Sequence, residues 1–186
     1  MKINLEQIFK ELKAWRDERK ITPKSQRQDY IINIMQELGE LAAALRDYEK
    51  FSKNDCPYCE IDKQIAEHEI IDSICNIAVF SINSWEDEPL TEIEPSVATF
   101  NYLLANCAYF EAGYRTRELE QVLITCAYLC EYYGYKFEIS ILETIKQISS
   151  STGTYDEASK KWIKDESDEA RKKWYKADYE KARIKD

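Results

Sequence analysis

EIIDSICNIAVF, residues 69–80, is apolar on nearly every side of a helix, yet it carries Glu69, Asp72 and Asn76. A helix that is hydrophobic all round belongs at the centre of a fold. The run from about Ile61 to Trp85 therefore reads as a buried central helix with no obvious wet face for its polar residues. Glu69 and Asp72 are three apart, so they sit on one side, one turn above the other, and Asn76 extends the row. Upstream, QELGELAAALRD (Gln36–Asp47) supplies a second pair, Glu37 and Glu40. It lies on a helix from about Lys24 to Lys50, opened by Thr22 and Pro23. Ile31, Ile34, Leu38, Leu41 and Leu45 form the expected core stripe of that helix, with both glutamates just beside it. The short connection SKNDCPYCE makes the two helices antiparallel neighbours, so the acid pairs face each other across the seam.

Such a cluster is expensive without a counter-charge. Two unit charges at ~6 Å repel by roughly 3 kcal/mol at an effective dielectric of 20. Four carboxylates make six pairs, or roughly 15–20 kcal/mol, whereas a whole domain is stable by only about 5–15 kcal/mol. The cluster must protonate, spread or bind a cation. Oxygen-only ligands select a hard ion, magnesium or manganese, and leave positions open for water and phosphate. The bare spelling ExxE…ExxD arises readily in a chain with 35 acidic residues. The placement of the second pair on an apolar helix is what gives it weight.

The rest of the chain agrees with a helical protein. Its 186 residues suit one ordinary domain, its 44% hydrophobic content is enough for a core, and 4 Gly and 4 Pro are too few for many strands and turns. A first helix spans about Asn4–Arg19, and three more span about Val97–Gly113, Thr116–Tyr133 and Glu138–Ser150, with Gly113 and Gly134 as stops. Residues 1–150 thus form an all-α core. The polar break at Ser149–Gly153 opens a charged segment, 151–186, with ten basic and nine acidic residues from Asp156 onward. The formal charge of −9 argues against nucleic acid as partner. No run is apolar enough for a membrane helix, and the N-terminus has no signal-peptide core, so a cytoplasmic location is expected. Cys75, Cys107, Cys126 and Cys130 fall in apolar helical runs and read as small hydrophobes. Cys56 and Cys59 have the spacing of half a zinc site, but no second CxxC or histidine pair accompanies them, and a plain loop is the reading adopted. Trp15 reads as core and His68 as a helix-end surface residue.

The two acid-bearing helices resemble the metal-binding helices of the all-α NTP pyrophosphatases, the superfamily of MazG and the dimeric dUTPases. That resemblance implies an antiparallel helical bundle of MazG or dimeric dUTPase type. It implies that Glu37, Glu40, Glu69 and Asp72 hold magnesium around a triphosphate, manganese being a possible substitute, and that Glu37 or Glu40 orients the attacking water. Asn76 matches a polar position facing the nucleotide. KQISSSTGTYDEASKKW (Lys146–Trp162) is similar to the tails of phage-type members and to the late motif of the dimeric dUTPases. By that likeness Lys146, Tyr155, Lys160 and Lys161 contact phosphates, and the 151–186 segment docks on the core near them. Gln26 and Gln28, at the start of the second helix, are weaker candidates for reading the base. The resemblance also implies a homodimer and a deoxynucleotide substrate, with dUTP or dCTP ahead of purines. Two alternatives stay open: a non-catalytic helical module that binds a nucleotide or protein, and a tail that is a solvated charged helix docked by Trp162 and Trp174.

Overall fold

The computed structural model describes residues 2–53, 59–113, 115–159 and 161–185. The fold is all-α in character. The described elements run β1 (Ile3–Asn4), α1 (Glu6–Glu18), α2 (Pro23–Ser52), α3 (Cys59–Asn83), β2 (Glu92–Ile93), α4 (Phe100–Gly113), α5 (Thr116–Tyr132), α6 (Phe137–Ser150), β3 (Gly153–Asp156), β4 (Lys161–Lys164) and α7 (Asp168–Arg171), closing on a 3-10 turn at Tyr179–Ala182. β1 pairs antiparallel with β2, and β3 with β4.

α2 starts where a capping box can form. The Thr22 hydroxyl accepts from the Ser25 amide at 3.2 Å, the Ser25 hydroxyl accepts from the Thr22 amide at 3.2 Å, and Pro23 takes the first helical position. α2 packs on α3 more extensively than any other pair of elements. Arg27 donates to the Ser84 carbonyl at 3.2 Å and Tyr30 bonds Ser81 at 3.0 Å, so the helices run in opposite directions. α3 is the hub, packed against α1, α2, α5 and α6. From Ile70 to Asn83 nearly every one of its side chains is buried.

Two expectations need correction here. The buried stripe of α2 is Tyr30, Ile34, Glu37, Leu41 and Ala44, while Ile31 is 40% exposed and Leu38 and Leu45 are only half-buried. The stripe is rotated from the one read off the sequence because Tyr30 is larger than Ile31 and bonds Ser81 inside, and Glu37 lies within it. α3 does have a wet face before Ile70: Ile61, Asp62, Ile65 and Glu69 are exposed.

The tail is not a long helix. β3 and β4 form a hairpin in which Gly153 pairs with Lys164 and Tyr155 with Trp162. Gly153 is required there, since a Cβ would lie 2.3 Å from the Ile163 carbonyl and 2.8 Å from the Trp162 ring. The hairpin docks through Arg19, which is only 2% exposed. Its guanidinium lies 5.2 Å from both the Trp15 and Trp162 ring centres and donates to the Ser149 and Ser151 carbonyls at 3.0 and 3.1 Å. Farther on, Ile184 donates to the Gly134 carbonyl and Lys136 to that of Ala182. Those bonds tie the chain end to the α5–α6 turn, where Gly134 takes φ 82° and closes α5.

Cys75, Cys107, Cys126 and Cys130 are free and buried, as small hydrophobes would be, and burial pushes the Cys107 thiol up to about 12. Cys59, read from the sequence as part of a loop, is the first residue of α3. Cys56 lies outside the described residues. No described helix is long and apolar enough to cross a membrane.

Arg19→Ala would strand two carbonyls and two aromatic faces. It should lower unfolding free energy by about 2–4 kcal/mol in urea titrations, and an unchanged midpoint would remove Arg19 as the anchor of the hairpin.

Candidate functional site

The antiparallel pairing of α2 and α3 sets Glu37 and Glu40 opposite Asp72 and Asn76. Glu37 is 7% exposed, and its Oε2 has no hydrogen-bond partner among the described residues. Burial first, then the negative charges of Glu40 and Asp72, push its carboxyl up to about 8; hydrogen bonding to Asn76 offsets part of this. Asp72 is also raised, by burial first. Against that act hydrogen bonds from Tyr179 and Gln147 to its Oδ1 at 2.5 and 3.3 Å, and from the Asn76 amide to its Oδ2 at 3.1 Å. Glu40 is exposed, steadied by Gln36 at 3.0 Å, and its charge acts on both Glu37 and Asp72. Glu69 is exposed, one turn before Asp72 on α3, and borders the same cleft as Glu37 and Asp72.

Among the described residues, no group of three or more Asp, Glu, His or Cys side chains is placed to hold a metal ion as it stands. The donor set nevertheless suits a hard cation. It is all oxygen, Glu37 is buried and Asp72 half-buried with both held toward their protonated forms, and one buried oxygen of Glu37 lacks a partner among the described residues.

Two adjoining clefts meet at Asn76, Ile148 and Lys164. The acid cleft, about 730 Å³, is bordered by Glu37, Glu69 and Asp72 on one side and by Lys164, Arg171 and Lys176 on the other. The second, about 590 Å³, has the aromatic residues Trp15, Phe80, Tyr155 and Trp162 and the polar residues Gln26, Gln28, Lys161 and Asn83. Asn76, Tyr155, Lys161 and Gln26 thus all border the paired clefts. Lys161 lies 3.8 Å from Asp29, and Lys20 sits 4.8 Å over the Tyr155 ring. Lys146 borders neither cleft. Its ammonium bonds Glu143 at 2.6 Å, because Glu143 is buried and needs cations. Lys160 lies outside the described residues. Trp15 is half-buried at the cleft wall instead of in the core. His68 bonds Glu180 at 2.8 Å between the rings of Tyr135 and Tyr179.

Sequence reading missed Lys164, Tyr179, Gln147 and Glu143. Burial alone would raise the Glu143 carboxyl; donation from Lys146, Tyr175 and the Asp178 amide outweighs it and brings the group down to about 2. None of these carries a local signal in the sequence; Lys164 joins the face of Trp162, two residues before it, only once Lys161–Lys164 is known to be a strand. No family model, curated protein or solved structure matches this chain.

The folded state holds the Glu37 proton up to about pH 8, while an unfolded glutamate releases it near 4.5. Stability of the metal-free protein is therefore full below the unfolded value and falls as pH rises between the two. From pH 5 to 8 the slope should approach ~1.4 kcal/mol per pH unit from this group. Urea titrations in chelator should show Glu37→Gln losing that slope; parallel pH profiles would exclude a buried, proton-holding Glu37.

Proposed function

We propose that this chain is a magnesium-dependent pyrophosphohydrolase that splits a deoxynucleoside triphosphate into the monophosphate and pyrophosphate. The observation that carries this reading is the buried, unpartnered oxygen of Glu37 beside Asp72 and Glu40, at the mouth of a cleft with cations on its far wall. Glu37, Glu40, Asp72 and, after a rotamer change, the exposed Glu69 would hold the ion. Bound there, magnesium would supply charge withdrawal from the phosphates and a more acidic water.

The remaining work falls to the chain's own side chains. Tyr179 and Gln147 hold Asp72 in place through its Oδ1, leaving Glu37 or Glu40 to orient the attacking water and accept its proton. Lys164, bordering both clefts, would meet the phosphates where they join the sugar, and Arg171 and Lys176 would meet their outer end. Trp15, Phe80 and Trp162 offer faces for a base. The likeness of the two acid-bearing helices to the all-α NTP pyrophosphatases supports the same assignment and favours dUTP or dCTP. α2 and α3 also expose Ile32, Met35, Ile61 and Ile65, apolar surface that a second copy of the chain would cover. We therefore infer a homodimer.

With magnesium or manganese, at least one of dUTP and dCTP should yield pyrophosphate, and chelation should abolish turnover. Asp72→Asn and Glu37→Gln should each lower kcat/KM at least 100-fold while circular dichroism stays native; full turnover in either would refute the site. Lys164→Ala should raise KM by roughly tenfold with a smaller change in kcat, and an unaltered KM would move the phosphates elsewhere.

A further inference from the structure

The second cleft ends on Asn83, which is 1% exposed and the most deeply buried of the residues that border it. Its Oδ1 accepts a hydrogen bond from Arg16 at 3.1 Å, and Arg16 is held in turn by the Ile82 carbonyl at 3.4 Å. A guanidinium has donors only, so the amide cannot flip: its oxygen must face Arg16 and its nitrogen must face away. That nitrogen, Nδ2, is buried and has no partner among the described residues. Closed off from water in a residue that borders the cleft, an amide donor without an acceptor calls for an explanation.

α3 relates this donor to the acids. Asp72, Asn76 and Asn83 are spaced by four and seven residues and share one face of the helix. At 1.5 Å per residue, Asn83 lies roughly 16 Å from Asp72 along the axis, with Asn76 between them at the junction of the two clefts. A nucleotide with its phosphates at the acids would enter the second cleft base first, between Trp15, Phe80 and Trp162. The leading edge is then the one opposite the glycosidic bond: position 4 of a pyrimidine or position 6 of a purine. Those are the positions at which bases differ between a carbonyl and an amino group.

We propose that Asn83, locked by Arg16, reads that position as a fixed donor, so the cleft accepts keto bases (uracil, thymine, guanine) and rejects the amino bases cytosine and adenine. An amino group would set N–H against N–H in a site from which water is excluded, a mismatch that hydrogen-bonding pockets reject strongly. This inference rests on the nucleotide reading of the clefts and narrows its substrate class.

Calorimetric binding of α,β-imido deoxynucleoside triphosphates with magnesium tests the inference without turnover. The dUTP and dGTP analogues should bind at least tenfold tighter than those of dCTP and dATP. Asn83→Asp keeps the Arg16 contact but offers an acceptor, and should invert the dUTP-to-dCTP preference. An analogue of dUTP carrying 2-pyrimidinone, which lacks the 4-oxygen, should bind wild type at least tenfold more weakly than dUTP's own analogue, a comparison that needs no variant. Equal affinities across these pairs would overturn the base reading alone. Keto preference without hydrolysis of any natural triphosphate would leave it standing while the pyrophosphohydrolase reading falls, and no binding by any analogue would overturn both.

Discussion

A carboxylate placed inside a core stripe is the constraint around which this fold is arranged. Glu37 occupies the α2 position that its neighbours Ile34 and Leu41 fill with aliphatic side chains, and it faces Asp72 on α3, the helix at the hub of the fold. Neither charge can be hydrated fully there, and each raises the cost of the other. The arrangement survives because the partners around it are polar and fixed. Asn76 bonds both carboxylates, while Tyr179 and Gln147 take up one oxygen of Asp72. What stays uncompensated among the described residues is one oxygen of Glu37, the oxygen that the proposed cation would take up.

That dependence explains why the tail folds back across the bundle. Tyr179, which donates to Asp72 and bonds Thr144, comes from the final 3-10 turn, and Ala177 donates to Gln147. Glu143, one turn from Gln147 on α6, is buried solely to receive the tail: Tyr175, the Asp178 amide and Lys181 all converge on it with Lys146. Glu67, Tyr135, Glu180 and Arg183 form a second clasp at the chain end. In the first clasp the buried Glu143 carboxylate accepts from several donors, the form in which a buried charge is tolerated; in the second, the half-exposed Arg183 donates to several acceptors. The tail is thus part of the site's supporting shell, and truncating it would leave Asp72 with fewer donors and a still higher proton affinity.

How much of this is legible in the sequence follows from which forces are local. Helix boundaries were readable because caps and stops are local chemistry; Thr22, Pro23 and Gly134 stand where the helices begin and end. The central position of α3 was readable from its all-round apolarity beyond Ile70. The stripe on α2 was misread by one position because Tyr30 counts as an ordinary half-polar residue until Ser81 is known to receive its hydroxyl across the seam. The β3–β4 hairpin was missed because Lys, Asp and Glu in the tail carry a helical charge pattern, while the decisive contacts, Arg19 between Trp15 and Trp162 and Gly153 against Trp162, span more than a hundred residues or a close backbone approach. Lys146 and Asn83 show the same limit from opposite sides. One looks free and is spent on Glu143, while the other looks like helix-end filler and is held by Arg16.

The distribution of charge in the clefts carries its own selectivity. A bare polyanion entering the acid cleft meets Glu37, Glu69 and Asp72 before it gains anything from Lys164, Arg171 or Lys176 on the opposite wall. A bare divalent cation finds Glu37 holding a proton near neutral pH, which must be released to bind it. On the proposed reading, a metal-bound phosphate chain would answer both difficulties at once, the ion pairing with the acids while the oxygens pair with the tail cations. Each partner raises the other's affinity by the same factor, as linkage requires. The opposed walls come from different parts of the chain, α2 and α3 on one side and the β4–α7 segment on the other. The fold therefore brings the site together only when the tail is docked.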